Sequence, residues 1–473
     1  MRATGEITTD IPARLDRLPW SRFHLLLVVA LGITWVLDGL EVTIVGSIGP
    51  ILKSRETLGL TDQHIGSIAA CYVAGAVGGA LVFGWLTDRS GRRRMFSVTL
   101  GVYLLGVLLS AFAWDFWSLA AFRLLTGLGI GGEYAAINSA IDELIPPRFR
   151  GRIDLIVNGS YWAGALAGAA GSLLLLSGLF VSVDLGWRLG FGTGAVLGGF
   201  ILFLRRFVPE SPRWQLTHGR EQEAEETTAD IERRVGADLP PVKSTLKLHP
   251  RKVYGFGLIL RTMLAQYRVR SFVTLALMVA QAFLYNAVFF AYGLVLVRFH
   301  HIDPARTGAY IIPLSVGNLM GPLLLGHLFD TVGRKKMIAG TYALSGVMLI
   351  GVALLFGMGV LTAATQTACW VAIFFVASAA ASSAYLTASE IFPLETRALS
   401  IALFYALGTL IGGVGAPYLF GWLVASGSEW TVAAGYMGAA ALMLGAAVCQ
   451  GLLGVEAAGV SLEDVARPLS SAS

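Results

Sequence analysis

The sequence predicts an all-α integral membrane protein: twelve transmembrane helices in two pseudo-symmetric six-helix halves. Three observations predict it. The 473 residues are 55% hydrophobic and 14% charged, with mean hydropathy +0.68, whereas a soluble domain carries about 25% charged residues. Apolar stretches of about 20 residues, the length that crosses a bilayer core, recur along the whole chain. And "GWLTDRSGRRRM" at 84–95 returns as "GHLFDTVGRKKM" at 326–337.

Reading that length along the chain places the first six spans near 23–51, 63–86, 95–113, 116–140, 153–180 and 187–207. The last six fall near 271–297, 307–329, 337–358, 364–390, 398–425 and 430–454. Only helices satisfy backbone polar groups within such segments, and the 57 glycines suit close helix–helix approach in lipid. The polar stretch from "PESPRWQLTHGREQEAEETTADIERRVGADLPPVK" onward mixes acids with Arg and reads as short surface helices. The expected organisation is therefore an N-terminal half at 1–208, a central loop at 209–270, and a C-terminal half with its tail at 271–473.

Net charge +5 does not indicate a nucleic-acid surface, because the basic residues sit in short loops between apolar spans. One set of loops holds Arg89, Arg92, Arg93, Arg94, Arg148, Arg150, Arg152, Arg334, Lys335, Lys336 and Arg397. The opposite set holds only Lys53, Arg55, Arg298 and Arg306. The richer side is expected to be cytoplasmic, along with both termini and the central loop, in a multi-pass protein of the cell's inner membrane. Cys71, Cys369 and Cys449 all lie in apolar stretches and suggest neither a disulfide framework nor a metal site. The first 20 residues lack an apolar core and cleavage site, so no cleaved signal peptide is expected.

A second echo pairs "ELIPPRFR" (143–150) with "EIFPLETR" (390–397), matching Glu143 with Glu390 and Arg150 with Arg397. The first echo matches Gly84 with Gly326, Asp88 with Asp330, Gly91 with Gly333 and Arg92 with Arg334. Repeats of this kind build alternating-access transporters with a central site. The doubled G-x-x-x-D-x-x-G-R-[RK]-[RK] loop resembles the hallmark of the major facilitator superfamily. "RLLTGLGIGGEY" (123–134), "DELIPPRFRGR", "PESPRW" (209–214), "QAFLYNAVFFAY" (281–292) and the tail "VEAAGVSLED" (455–464) resemble its sugar-porter and metabolite–proton symporter branches. "DGLE" in the first span looks more like the D-G-[FY]-D of aromatic-acid symporters. Tyr385 stands where sugar porters typically place Trp, which directs the expectation to a small organic or aromatic acid, or a sugar-like metabolite, rather than a hexose.

Asp38 and Glu41 lie three helical positions apart, so both can face the bundle interior. A charge at mid-bilayer costs about 2.5–3.5 kcal/mol on insertion scales, so the pair needs a partner or a proton. The resemblance implies that Glu41 pairs with Arg123 and couples a proton; the bland alternative is a static ion pair. Asp38 is expected either to share that role, to orient the substrate or to cap an unwound turn. Glu133 is either a substrate or proton ligand or a buried structural hydrogen bond. The resemblance also implies substrate contacts at Gln281, Asn286 and Tyr385, while Tyr161 and Trp162 are either pocket aromatics or packing. Gly84, Asp88, Gly91, Arg92, Glu143, Arg150, Asp330, Gly333, Arg334, Glu390 and Arg397 are expected to form a conformational gate, closed by Asp caps on helices and Asp–Arg pairs between hairpins.

The expected function is secondary active transport, a proton-coupled import of a small organic solute by alternating access. The alternative is a uniporter or exporter of organic cations or drug-like compounds. The sequence carries no Walker A loop, and its spans carry no nucleophile–base pair and no metal cluster, so neither an ATP-driven pump nor a membrane enzyme is expected. No cofactor is expected beyond the proton as coupling ion, no nucleic-acid partner, and a monomer in the lipid bilayer.

Overall fold

The computed structural model describes residues 6–49, 51–175, 181–204, 208–236, 239, 241–242, 244–250, 255–289, 291–303 and 306–471. Its first six spans are Arg22–Ile48, Asp62–Ser90, Arg92–Ala111, Phe116–Leu144, a fifth formed by Pro147–Gly159 and Tyr161–Leu175, and Val183–Leu204. The seventh runs Arg268–Leu284 and passes through a wide turn at Tyr285–Phe289 before resuming at Tyr292–Phe299. Thr307–Thr331, Arg334–Gly357 and Ala363–Glu390 follow. The eleventh, Arg397–Gly408, opens into a wide turn at Thr409–Val414 before Gly415–Ala425, and Glu429–Leu453 is the twelfth.

Among the described residues, ten helices are long and apolar enough to cross a membrane. The other two spans fall short for visible reasons. The fourth has 29 residues, but its glycines, Arg123 and Glu133 dilute its hydropathy. The fifth is divided at Ser160. It also begins well before the position that hydropathy alone indicated, because Pro147 at the first turn starts a helix. Arg150 is then buried inside it, with Asp154, rather than held in a loop.

Buried apolar side chains form two clusters. One includes Leu31, Leu100, Tyr103 and Ile141 of the early spans; the other includes Leu277, Tyr342, Trp370 and Tyr436 of the late ones. Tyr161, Tyr385 and Tyr405 pack against both, and so mark the seam. Within the first half, close approach depends on glycine. A Cβ at Gly127 would overlap the Tyr72 carbonyl, and one at Gly131 the Ala76 carbonyl, so "GLGIGG" presses the fourth span onto the second.

Both chain ends and the central stretch share the Arg-rich face. Ile7–Thr9 pairs antiparallel with Leu246–Leu248, and Leu248 bridges to Ser471. The central stretch forms the short helices Pro212–Thr217, Glu221–Val235 and Phe256–Arg261, and the first of them is buried rather than lying on the surface as expected.

Candidate functional site

At the centre, the first span turns Asp38 and Glu41 inward together, both nearly fully buried. The Arg123 guanidinium of the fourth span donates to Glu41 Oε1 and lies over the Tyr72 ring at 4.7 Å and the Phe191 ring at 5.5 Å. Asp38 takes a different environment, accepting hydroxyls from Tyr72 at 3.1 Å and Tyr134 at 2.5 Å. Around it Trp35 stacks on Tyr134 at 4.5 Å and meets the edge of Tyr385 at 5.8 Å. Tyr405 closes on Tyr134 at 4.9 Å. Two carboxylates one helical turn apart thus have separate fates: one ion-paired, one ringed by phenols at the seam between halves.

The Arg-rich face repeats one construction twice. Asp88 ends the second span and accepts the backbone N–H groups of Ala398 (3.2 Å) and Leu399 (2.9 Å), capping the eleventh span in the other half. Asp330 ends the eighth and accepts those of Gly151 (3.0 Å) and Arg152 (2.8 Å), holding the start of the fifth. Arginines lock each cap. Arg92 pairs with Asp88 at 3.3 Å and Glu143 at 2.7 Å, while Arg334 pairs with Asp330 at 2.8 Å and Glu390 at 2.9 Å. Across the halves, Arg150 reaches Glu390 at 3.6 Å and Arg397 reaches Glu143 at 3.4 Å. The halves are closed together on this side.

Gly91 and Gly333 both have positive φ, 98° and 112°, where a side chain is strained. Each faces a carboxylate that caps the next helix. Glu210 accepts from Arg92 N at 2.8 Å, and Glu456 accepts from Arg334 N at 2.7 Å. Gly84 allows the same closeness between halves, since a Cβ there would come within 2.5 Å of Ala402 Cβ.

A family described as "Sugar (and other) transporter" matches residues 41–468. The chain belongs to that family. It is a multi-pass membrane transporter of the major facilitator fold, and such transporters take small-molecule solutes. It is 28% identical over 331 residues to a niacin transporter of Acinetobacter baylyi, covering 70% of this chain and 73% of that one. A putative metabolite transport protein of Escherichia coli, YdjK, is 29% identical over 482 residues, with 96% of each covered. In fold, the transporter superposes on the proton:xylose symporter XylE of E. coli with TM-score 0.77 at 18% identity, covering 94% of this chain and 98% of that one.

The transporter brings together Asp38, Glu41, Arg123 and Tyr385 near the centre, with Tyr161 at the same seam. It does not add Glu133 to that group: buried in the fourth span, Glu133 accepts the Thr99 hydroxyl of the third at 2.6 Å. Trp162 belongs to a neighbouring nest, stacked on Tyr285 at 5.7 Å and edge-on to Phe289 at 4.9 Å. Gln281 is half-buried, and Asn286 donates to the Ala282 carbonyl at 2.8 Å within its own helix. Sequence reading missed Trp35, Tyr72, Tyr134 and Tyr405. Tyr134 lies eleven positions after Arg123, which is three helical turns and hence the same face; that spacing was the available signal.

Sequence reading also missed the roles of the central stretch and the tail. Arg213 donates to the Glu143 carbonyl (2.6 Å), Asp16 (2.5 Å) and Glu463 (2.9 Å), joining three segments. Burial pushes the Glu463 carboxyl up, but the Arg213 guanidinium and the Ser461 hydroxyl outweigh it, leaving Glu463 below the ordinary carboxylate range. At Glu210 burial wins over the backbone N–H bonds, and its carboxyl is raised.

Proposed function

We propose that this transporter imports a small organic or aromatic acid together with a proton, by alternating access across the inner membrane. Its Arg-rich face and both termini then lie in the cytoplasm. In this reading it works as a monomer whose lobes, 1–208 and 271–473, rock about the central site, with 209–270 and the tail as their cytoplasmic cover.

The observation that carries the proposal is the buried Glu41–Arg123 pair beside the aromatic chamber of Asp38. A buried guanidinium left without an anion is strongly unfavourable, by about 3–5 kcal/mol. A proton on Glu41 therefore frees Arg123 only when another carboxylate arrives to replace it. A solute acid supplies that carboxylate, so proton and solute bind together, and neither alone satisfies the site. Trp35, Tyr134, Tyr385 and Tyr405 offer ring faces to a planar solute. The related niacin transporter, whose solute is an aromatic acid, supports this choice. Gln281, Asn286, Tyr161 and Trp162 line the solute path in this reading, and Glu133 braces the third and fourth spans. The helix caps of Asp88 and Asp330, with their arginines, form the inner gate.

A second reading follows from Asp38 itself: a carboxylate among aromatic rings also suits an organic cation. Uptake of labelled aromatic acids into proteoliposomes under an imposed pH gradient, with organic cations and sugars as competitors, separates the two. Accumulation of an acid that is abolished by Glu41→Gln, with solute exchange retained, supports symport. Undiminished gradient-driven accumulation in Glu41→Gln overturns it.

A further inference from the structure

Behind the gate lie two carboxylates that none of its bonds uses. Asp142, next to Glu143 in the fourth span, and Asp154, in the fifth, are both fully buried. The four gate arginines serve other acids: Arg92 and Arg397 hold Glu143, Arg92 holds Asp88, Arg334 holds Asp330 and Glu390, and Arg150 holds Glu390. Among the described residues no ion pair reaches Asp142 or Asp154, and all four of their carboxyl oxygens lack a hydrogen-bond donor. Arg150 Nε and Nη2 and Arg397 Nη2 form no hydrogen bond among the described residues and do not reach these oxygens, and the neighbouring hydroxyl and amide are engaged elsewhere. The Ser389 hydroxyl donates to the Leu386 carbonyl at 2.9 Å. The Asn158 amide donates to Asn138 Oδ1 and to the backbone carbonyl of Asp154, both at 2.9 Å.

Six acids thus meet four guanidiniums at this interface: Asp88, Asp142, Glu143, Asp154, Asp330 and Glu390 against Arg92, Arg150, Arg334 and Arg397. Asp142 and Asp154 also feel each other and Glu390. A buried carboxylate that forms no ion pair and accepts no hydrogen bond is expensive, and such a group takes a proton instead. The tenth span covers the pair with Glu390 and Ser389; Arg150 of the fifth span and Arg397 of the eleventh face Asp142, and Arg334 of the ninth faces Asp154. Separation of the halves withdraws this cover and admits water.

We propose that Asp142 and Asp154 form a second proton-binding site, filled from the Arg-rich side when the halves close there and emptied when they part. The protons enter and leave on the same side, so the site drives no net transport. It makes opening depend on the pH of that compartment: acid holds the gate shut, and alkali favours opening as each O–H proton passes to the entering water. This does not rest on Glu41 coupling.

The test uses the full chain in lipid nanodiscs without solute, with spin labels on the ends of the second and eleventh spans at the Arg-rich face. The closed-to-open ratio should fall about tenfold per pH unit for each proton released. The slope should survive in Glu41→Gln, which separates this site from the central one, and should be lost in Asp142→Asn/Asp154→Asn. A flat wild-type response, or an unchanged slope in the double variant, overturns the proposal. Should the double variant not fold, infrared spectra of Asp38→Asn carrying isotope-labelled aspartate decide the matter. A protonated-acid carbonyl band from aspartate at neutral pH supports the site, and ionised carboxylate bands alone refute it.

Discussion

Replacing Asp88 with Asn perturbs the closed face with little change in volume. Asp88 accepts two N–H groups from the start of the eleventh span, at 3.2 and 2.9 Å, and pairs with Arg92 at 3.3 Å. Hydrogen bonds to a charged group contribute about 1.5–3 kcal/mol each, and the negative charge at a helix N-terminus adds about 0.3–1 kcal/mol. Asn keeps one acceptor oxygen, so one bond persists in neutral form while the second bond and the charge are lost. The expected cost to the closed arrangement is about 2–3 kcal/mol, or about 30- to 150-fold in the closed-to-open ratio. Inter-label distances between the second and eleventh spans at the Arg-rich face measure that ratio directly. Asp330→Asn removes the equivalent cap at Gly151 and Arg152, so it should act in the same direction and by a similar amount. A folded Asp88→Asn protein with an unchanged distance distribution would refute the reasoning.

Three further outcomes are expected. Tyr134→Phe deletes the hydroxyl that donates to Asp38 at 2.5 Å but keeps the ring stack with Trp35; the carboxylate oxygen left without its donor should cost about 1.5–3 kcal/mol, read as a lower melting temperature. Gly91→Ala forces a side chain onto φ 98° and against the Glu210 carboxylate; a loss of about 1–3 kcal/mol should appear as a lower melting temperature. His218 is buried against Trp214, and burial lowers its pKa from 6.5 to about 4. The unfolded segment therefore binds the proton first as pH falls, and stability declines between about pH 6.5 and 4. Faster amide exchange of Pro212–Val235 in that window, abolished in His218→Gln, checks it.

How far the sequence alone reaches differs between features. The two halves were legible because bilayer thickness imposes a span length and because the doubled loop repeats in the letters. Asp38, Glu41 and Arg123 stood out because a charge in an apolar run demands an explanation. The break at Ser160 was not legible, since hydropathy averages over a window and does not register where a helix starts or stops. The aromatic surroundings of Asp38 were hidden for a different reason: Trp35, Tyr72, Tyr134, Tyr385 and Tyr405 come from five spans, and tyrosines in membrane helices are ordinary until they converge.

The chain's letters by themselves determined that it lies in a membrane, that it is duplicated, and which side chains carry charge into the bundle, because each of these is a local or periodic property. Tertiary structure decided who meets whom. It set Glu41 on Arg123 but Asp38 on phenols, gave Asp88 and Asp330 helix ends in the opposite half, and left Asp142 and Asp154 outside every ion pair among the described residues. Pairings across hundreds of residues depend on how the helices pack, and no spacing along one helix encodes them.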